Sequence, residues 1–165
     1  MLKLILSFKR GLEWVEVMVL CLLVAGLAGL SFLQVVLRLA HGGLLWADPL
    51  IRHGVLWIAF VGGALATSRT RHISIDALGR LVTGTGRRWL HVGISAVGLW
   101  ITLRLCAAAL TFLEIEQGAG ESVAGIPHDV IILIIPVGFA LIALHFVLEI
   151  LLGLLGHLPV REETP

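Results

Sequence analysis

The organisation of this chain follows from residues 46–76, which read WADPLIRHGVLWIAFVGGALATSRTRHISID. A predicted turn around Pro49 leads into an apolar helix, and the stretch ends in basic residues before His72 and Asp76. Proline at the first turn of a helix costs no hydrogen bond, so Pro49 is well placed to begin one. The stretch therefore predicts a transmembrane helix that leaves the membrane on positive charge.

Small residues recur within this helix at a spacing of four. Ala59 pairs with Gly63, and Gly62 pairs with Ala66. Lipid gives no hydrophobic drive for helix association, so close backbone approach and van der Waals contact must supply it. Glycine and alanine are also frequent in membrane spans in general. The two pairs predict a flat face on which another helix docks.

The helix and its exit resemble the signature of the small membrane subunit of TRAP transporters, the DctQ-like family. The matching positions are WIAFVGGA at 57–64 and HISID at 72–76, preceded by Asp48 and Arg52. Two positions depart from the pattern, because Pro49 stands in place of a second acidic residue and Gly63 in place of alanine. By length and hydropathy, the resemblance extends over nearly the whole chain.

The resemblance implies a function and a set of partners. It implies a small permease subunit in the bacterial inner membrane that scaffolds a large DctM-like permease subunit. A periplasmic binding protein would deliver a carboxylate-type substrate, and a sodium gradient would drive its import. Membrane lipids are the other expected partners, and no nucleic acid, cofactor, metal or catalytic site is predicted. The candidate partner-interface residues are Asp48, Arg52, Trp57, Ala59, Gly62, Gly63, Ala66, Arg71, His72 and Asp76.

Composition independently indicates an integral membrane protein. The chain has 165 residues, of which 58% are hydrophobic, and its mean hydropathy is +1.02. A soluble domain is about 45–50% apolar, so we expect residues 1–165 to form one membrane domain. Cys21 and Cys106 both fall in apolar runs, which predicts two free buried thiols and no disulfide.

Four apolar runs predict an all-α fold with four transmembrane helices. The first run is too long for a signal-peptide core of about 7–15 residues, and each run approaches the ~20 residues that cross a bilayer. Pro136 predicts a kink near the start of the last span. The predicted spans are about 12–37, 49–67, 89–113 and 130–155.

The distribution of Lys and Arg predicts that both termini are cytoplasmic. With four spans, nine basic residues share the side of the termini, whereas only Arg38 and Arg52 lie on the other. The apolar residues Ile75, Leu78 and Leu81 recur at helical spacing between spans 2 and 3. This pattern predicts an amphipathic interfacial helix in that loop.

Two histidines provide an alternative to the transporter subunit. His91 and His145 are predicted at similar depth on neighbouring spans, where they would ligate a b-type haem in the membrane anchor of a respiratory oxidoreductase. The other explanation is that His145 hydrogen-bonds within the bundle and that His91 lies among Trp and Arg residues at the membrane interface. His72 and Asp76 share a helical face, but the absence of further ligands nearby in the sequence favours a tie to the loop or to a partner. We therefore predict that the chain is not an enzyme.

The remaining polar residues favour a structural role over an ion relay. Arg104 is the one basic residue deep in a span, where a charge costs about 3 kcal/mol or more unless it faces protein or reaches the interface. Glu149 is expected to pair with Arg87 or Arg88. The central thirds of the spans offer little more than the hydroxyl groups of Ser31, Ser95 and Thr102. A carboxylate site and a sodium site need more polar groups than these.

Overall fold

A computed structural model describes residues 2–40, 42–79, 85–116, 118, 122 and 125–156. Side chains at 70–79, 85 and 87 lie outside this description. The described residues form five helices: α1 (Leu2–Leu39), α2 (Ala47–Gly79), α3 (Thr85–Glu116), α4 (His128–Ile132) and α5 (Ile134–Leu154).

Four segments of the described chain are long and apolar enough to cross a membrane, so the prediction of an all-α membrane fold is confirmed. Each contains most of one predicted span, although α1 begins ten residues earlier than expected. The segments are Leu2–Leu39, Ala47–Arg69, Arg88–Glu116 and His128–Leu154. Cys21 and Cys106 are both free, but the prediction that both are buried is wrong for the chain by itself, because Cys21 is exposed and Cys106 is half-buried.

The second helix is longer than its membrane span. Residues 70–79 are helical, but they continue α2 without a break instead of forming a separate interfacial helix after a turn. The rest of the predicted amphipathic segment, residues 80–84, lies outside the described residues. One continuous helix of 33 residues therefore carries the apolar span and the basic stretch that follows it.

The last span is interrupted at Leu133, between α4 and α5. Pro136 explains the interruption, because proline has no N–H group and its ring clashes with the carbonyl of the fourth residue before it, here Ile132. The indole Nε1 of Trp57 donates a hydrogen bond of 3.2 Å to the carbonyl of Ile131, beside the break. Leu133 keeps right-handed helical backbone angles (φ −56°, ψ −21°), so Pro136 interrupts the helical hydrogen bonding here without a change of backbone region, and this site is joined to α2 through the Trp57 side chain.

The fifth helix occupies the centre of the bundle. It packs against α2 and α3, while α1 packs mainly against α2. A methyl group built on Gly138 of α5 would lie 2.6 Å from Cβ and Cγ of Phe60 on α2, and one on Gly98 of α3 would overlap the ring of Phe146. These glycines therefore bring the helices close enough for aromatic rings to fill the space of a missing side chain.

The start of α1 and the end of α5 lie at the same end of the bundle, which we call the terminal end. The ammonium group of Lys9 lies 2.6 Å from Oε1 of Glu149. At the same end, Nε of Arg88 donates a hydrogen bond of 2.7 Å to the carbonyl of Gly153, and its Nη2 donates to that of Leu154. Arg88 thereby satisfies carbonyls that a helix C-terminus leaves without partners.

Candidate functional site

Three small residues form an exposed stripe along α2, which we call the small-residue face: Ala59, Gly63 and Ala66. Ala59 and Ala66 are exposed. A methyl group built on Gly63 would meet nothing within 4 Å. Their spacing of four and three residues places them on one side of the helix. The chain itself therefore leaves this face uncovered.

Gly62 does not belong to this face. A methyl group at Gly62 would lie 3.8 Å from Cδ1 of Leu20, so this glycine faces α1 at ordinary van der Waals distance. Val61 and Ala64 are buried on the side of α2 that packs in the bundle. The two small-residue pairs of the sequence thus separate into an exposed stripe and a contact within the chain.

Three of the predicted interface residues lie in the first part of α2: Asp48, Arg52 and Trp57. Asp48 forms an ion pair with Arg38, which ties the start of α2 to the end of α1. Trp57 is bonded to the break at Leu133, as described above, and Arg52 is exposed. The side chain of Asp48 is also 46% exposed, although it is paired with Arg38, so Asp48 and Arg52 are both open to a partner or to lipid head groups.

The predicted residues after the span are only partly described. Arg71, His72 and Asp76 lie on the helical backbone of α2, but their side chains are outside the described part of the structure. Their assignment to a partner interface therefore remains a prediction.

Near the terminal end, polar side chains from four helices meet in the interior. We call this group the terminal cluster. Lys9 lies 2.6 Å from Glu149 and 3.8 Å from Glu13, whose Oε1 accepts a hydrogen bond from Ser68. His91 Nε2 lies 3.4 Å from Glu149 Oε2. The members of the cluster are Lys9, Glu13, Glu16, Ser68, His91, His145 and Glu149.

The most deeply buried contact of the terminal cluster joins Glu16 to His145. The ring Nε2 of His145 lies 2.8 Å from Oε1 of Glu16. The histidine is 0% exposed and the glutamate 3%. His145 lies nine residues before the end of α5, about 14 Å along the axis at 1.5 Å per residue. The contact therefore joins α1 to the central helix well inside the bundle.

A carboxylate lies beside each of the two buried histidines. His145 Nε2 is occupied by Glu16, and His91 Nε2 faces Glu149. Within the described residues, no group of three or more His, Cys, Asp or Glu side chains is arranged to hold a metal ion. The contact with Glu16 agrees with the expectation that His145 is hydrogen-bonded within the bundle, whereas neither ring nitrogen of His91 has a hydrogen-bond partner among the described groups.

The sequence analysis did not identify Lys9, Glu13 and Glu16 as members of a site, although their spacing contains the signal. The three residues recur at intervals of four and three, which places them on one helical face. A carboxylate within an apolar span is costly enough to require a partner. Glu149 was expected to pair with Arg87 or Arg88. Lys9 donates a hydrogen bond to Glu149, Arg88 donates to backbone carbonyls at the end of α5, and the side chain of Arg87 lies outside the described residues.

An apolar cavity of about 370 Å³ lies between α1, α2 and α4 at the end opposite the terminal end. Leucine and isoleucine side chains dominate its lining, and His53 and Trp57 contribute the ring nitrogens that can form hydrogen bonds. His53 Nδ1 is already engaged by the carbonyl of Pro49 at 2.7 Å. The cavity therefore lacks the charged groups that a carboxylate ligand requires.

Arg104 is exposed on α3. Among the described residues, no carboxylate lies within ion-pair distance of its guanidinium group. The sequence predicts that Arg104 either faces protein or reaches the membrane interface. Within the described part of the chain, the first of these expectations is not met. Snorkelling along the helix towards the interface remains as the way for the chain alone to accommodate its charge.

Comparison with known proteins identifies one family. The family model described as "Tripartite ATP-independent periplasmic transporters, DctQ component" matches residues 27–156. The match begins in the second half of α1 and includes the small-residue face, the break at Leu133 and all of α5. No curated protein matches the chain.

Proposed function

Since this chain belongs to the family of DctQ components of tripartite ATP-independent periplasmic (TRAP) transporters, we propose that it is the small permease subunit of a sodium-driven importer. It binds a large DctM-like permease subunit and scaffolds it in the membrane. A periplasmic binding protein delivers a carboxylate-type substrate to this assembly.

The small-residue face is the observation that carries this proposal. Inside the bundle, a leucine or phenylalanine side chain from a neighbouring helix occupies the space beside each of three glycines: Gly54, Gly98 and Gly138. A methyl group built on Gly63, by contrast, would meet nothing within 4 Å. Close backbone approach is what drives helices together in lipid, so a helix of the large subunit is the occupant that suits this face.

The distribution of basic residues supports an orientation with both termini in the cytoplasm of a bacterial inner membrane. Lys9 and Glu149 are in contact, so the start of α1 and the end of α5 share one side. Basic residues near the membrane favour the cytoplasmic side. Those on the side of the termini are Lys3, Lys9, Arg10, Arg69, Arg71, Arg80, Arg87, Arg88 and Arg161, against Arg38 and Arg52 on the other.

Replacing Gly63 with leucine tests the docking face. The new side chain enters space that is open within this chain, so we expect the subunit to fold normally. It should hold the partner helix away and remove the close contacts that drive association. Co-purification of the large subunit through a tag on this chain should fall at least tenfold, a loss of about 1.4 kcal/mol.

Two matched substitutions control for the bulk of the leucine. Gly93→Leu also enters open space, but bulky exposed residues flank it at Trp89 and Val97, so it should leave co-purification unchanged. Gly29→Leu modifies another exposed glycine, on α1. If Gly29→Leu separates the subunits while Gly63→Leu does not, the docking surface lies on α1 and the assignment to α2 is wrong.

A further inference from the structure

The apolar cavity between α1, α2 and α4 follows the membrane-spanning part of the chain. Leu50 and Trp57 line it on α2, and their spacing corresponds to about 10 Å along a helix axis. Leu50 lies near the start of the membrane segment Ala47–Arg69, and Trp57 lies beside its middle. The hydrocarbon of one bilayer leaflet is about 15 Å thick. The cavity therefore extends from one membrane boundary towards the bilayer centre, over most of one leaflet.

The lining of the cavity is unsuited to water. Nδ1 of His53 lies 2.7 Å from the carbonyl of Pro49, and Nε1 of Trp57 donates to the carbonyl of Ile131 at 3.2 Å. These contacts leave at most Nε2 of His53 for a water molecule, which needs roughly two to four polar partners. If the cavity were empty, the side chains around it would lose dispersion contacts. The lining therefore favours an apolar occupant.

The cavity is accessible from outside the chain. Two of its lining residues, Ile126 and Val130, are exposed. Val130 belongs to the segment His128–Leu154, which is long and apolar enough to cross a membrane. The volume of about 370 Å³ is more than twice the ~150 Å³ of an engineered apolar cavity that binds benzene. A hydrocarbon chain from the bilayer thus has both a route into the cavity and room within it.

The proposed docking of the large subunit does not supply an occupant for this cavity. Gly54 and Trp57 line the cavity, whereas Ala59 and Gly63 belong to the small-residue face. At 3.6 residues per turn, Ala59 and Gly63 lie about 120–180° around α2 from the two lining residues. A helix on the small-residue face would therefore leave the cavity side of α2 to lipid.

Charged residues of both signs adjoin the cavity walls near the membrane boundary. His53 directly follows Arg52, whose side chain is exposed, and Val130 directly follows Asp129, whose side chain is half-buried. A zwitterionic phospholipid carries a phosphate and a cation in one head group. Such a head group complements a boundary at which an arginine and an aspartate both occur.

We propose that this cavity binds one acyl chain of a zwitterionic membrane phospholipid. The acyl chain enters beside Val130, runs along Leu50 and Gly54, and ends near Trp57. It supplies the dispersion contacts that the lining residues of α1, α2 and α4 do not make with one another. The site is separate from the small-residue face and does not rest on the proposed role in transport.

The fluorescence of Trp57 tests the site in the full chain, purified in detergent. The other tryptophans, Trp14, Trp46, Trp89 and Trp100, are replaced with phenylalanine, and a zwitterionic phospholipid with brominated acyl chains is added. Bromine quenches a nearby indole. A second chain that keeps only Trp100, which is 65% exposed on α3, reports contact with unbound lipid. Half-maximal quenching of Trp57 should need at least tenfold less phospholipid than that of Trp100. Equal requirements, or no quenching of Trp57, would overturn the proposal.

Substitutions that fill the cavity provide a second test. Val130→Phe enlarges an exposed lining residue, and Leu23→Phe fills the cavity from α1. Each should raise the phospholipid needed for half-maximal quenching of Trp57 at least tenfold. Val147→Phe enlarges another exposed valine, on α5, and should leave this requirement unchanged. The proposal is wrong if neither filling variant weakens the quenching.

The complex with the large subunit distinguishes a lipid from a protein occupant. In native mass spectrometry, the complex with Val130→Phe should carry one phospholipid fewer per small subunit than the complex with Val147→Phe. Equal numbers would mean that a side chain of the large subunit fills the cavity, which would overturn the proposal. If no complex forms, the proposed role in transport fails, while the fluorescence of the isolated chain still decides whether the cavity binds lipid.

Discussion

Membranes that contain the large permease subunit and the binding protein, but lack this chain, are expected to show no sodium-driven uptake above background. In the proposed assembly, the surface of the large subunit that binds this chain would meet lipid if the chain were missing. Conversely, proteoliposomes that contain only this chain should take up no carboxylate. The measurement is uptake of a panel of labelled carboxylates with each subunit omitted in turn.

The second half of this prediction follows from the polar groups of the chain. Transport sites lie near the bilayer midplane, typically where helices are broken and half-helix ends are exposed. Here the described break lies at Leu133, close to one end of its span, and Trp57 bonds beside it. The hydroxyl of Thr102 is bonded to the carbonyl of Gly98 in its own helix. These groups do not form a site for a carboxylate or a sodium ion.

Point substitutions in this chain should change the amount or rate of transport and leave its selectivity unchanged. Uptake with Arg52→Ala or His72→Ala should keep the wild-type order of preference among the carboxylates of the panel. Sodium-driven uptake by this chain alone would contradict the account, as would one substitution that reorders the preference.

Replacing Lys9 with methionine is expected to cause a large loss of stability. The side chain of Lys9 is largely buried, and its ammonium lies 2.6 Å from a carboxylate oxygen of Glu149, whose side chain is 3% exposed. Removing one member of a buried ion pair leaves the other charge in the interior, which costs on the order of 3 kcal/mol. For a chain of this size, the melting temperature should fall by about 6–12 °C.

The adjacent cation provides the control for this substitution. Arg10 follows Lys9 in α1 but is exposed, so Arg10→Met should change the melting temperature by little. The double variant Lys9→Met/Glu149→Leu removes both charges, and well-packed apolar residues in place of a buried pair are often neutral. It should recover most of the stability that Lys9→Met loses. An unchanged melting temperature for Lys9→Met would show that the pair contributes nothing.

The spans could be predicted from the sequence because lipid imposes a simple requirement. Each crossing needs about 20 apolar residues, and such runs stand out between the charged loops of this chain. The interruption of the last span was also predictable, because Pro136 excludes a regular helix around its own i−4 carbonyl. The continuity of α2 past Arg69 was not anticipated, because basic residues mark the membrane boundary without ending a helix.

The arrangement of the helices could not be predicted in the same way. In a soluble helix, the apolar stripe shows which side is buried, but in lipid both the packed and the exposed sides are apolar. Val61 is buried and Val55 is exposed on the same helix, although the residue type is the same. The central position of α5 and the opposite environments of Gly62 and Gly63 therefore emerge only from the structure.

The contacts of the terminal cluster could be predicted only in part from the chemistry of its residues. Glu16 and His145 each invite a partner because burial of either one alone is costly. They are 129 residues apart in the chain, and several other carboxylates and histidines were available to each. The contact between Glu16 and His145 can be predicted only when it is known which helices are neighbours.

Cysteine cross-linking from the small-residue face tests most directly the central claim that this chain acts by binding the large permease subunit. Cys21 and Cys106, the two native cysteines, are first replaced with serine, and one cysteine is then introduced as Gly63→Cys or Gly93→Cys. Both positions are open within the chain. A bifunctional thiol reagent applied to intact membranes should join the large subunit to the Gly63→Cys variant and leave the Gly93→Cys variant unlinked. Cross-linking from position 93 but not from position 63 would contradict the account.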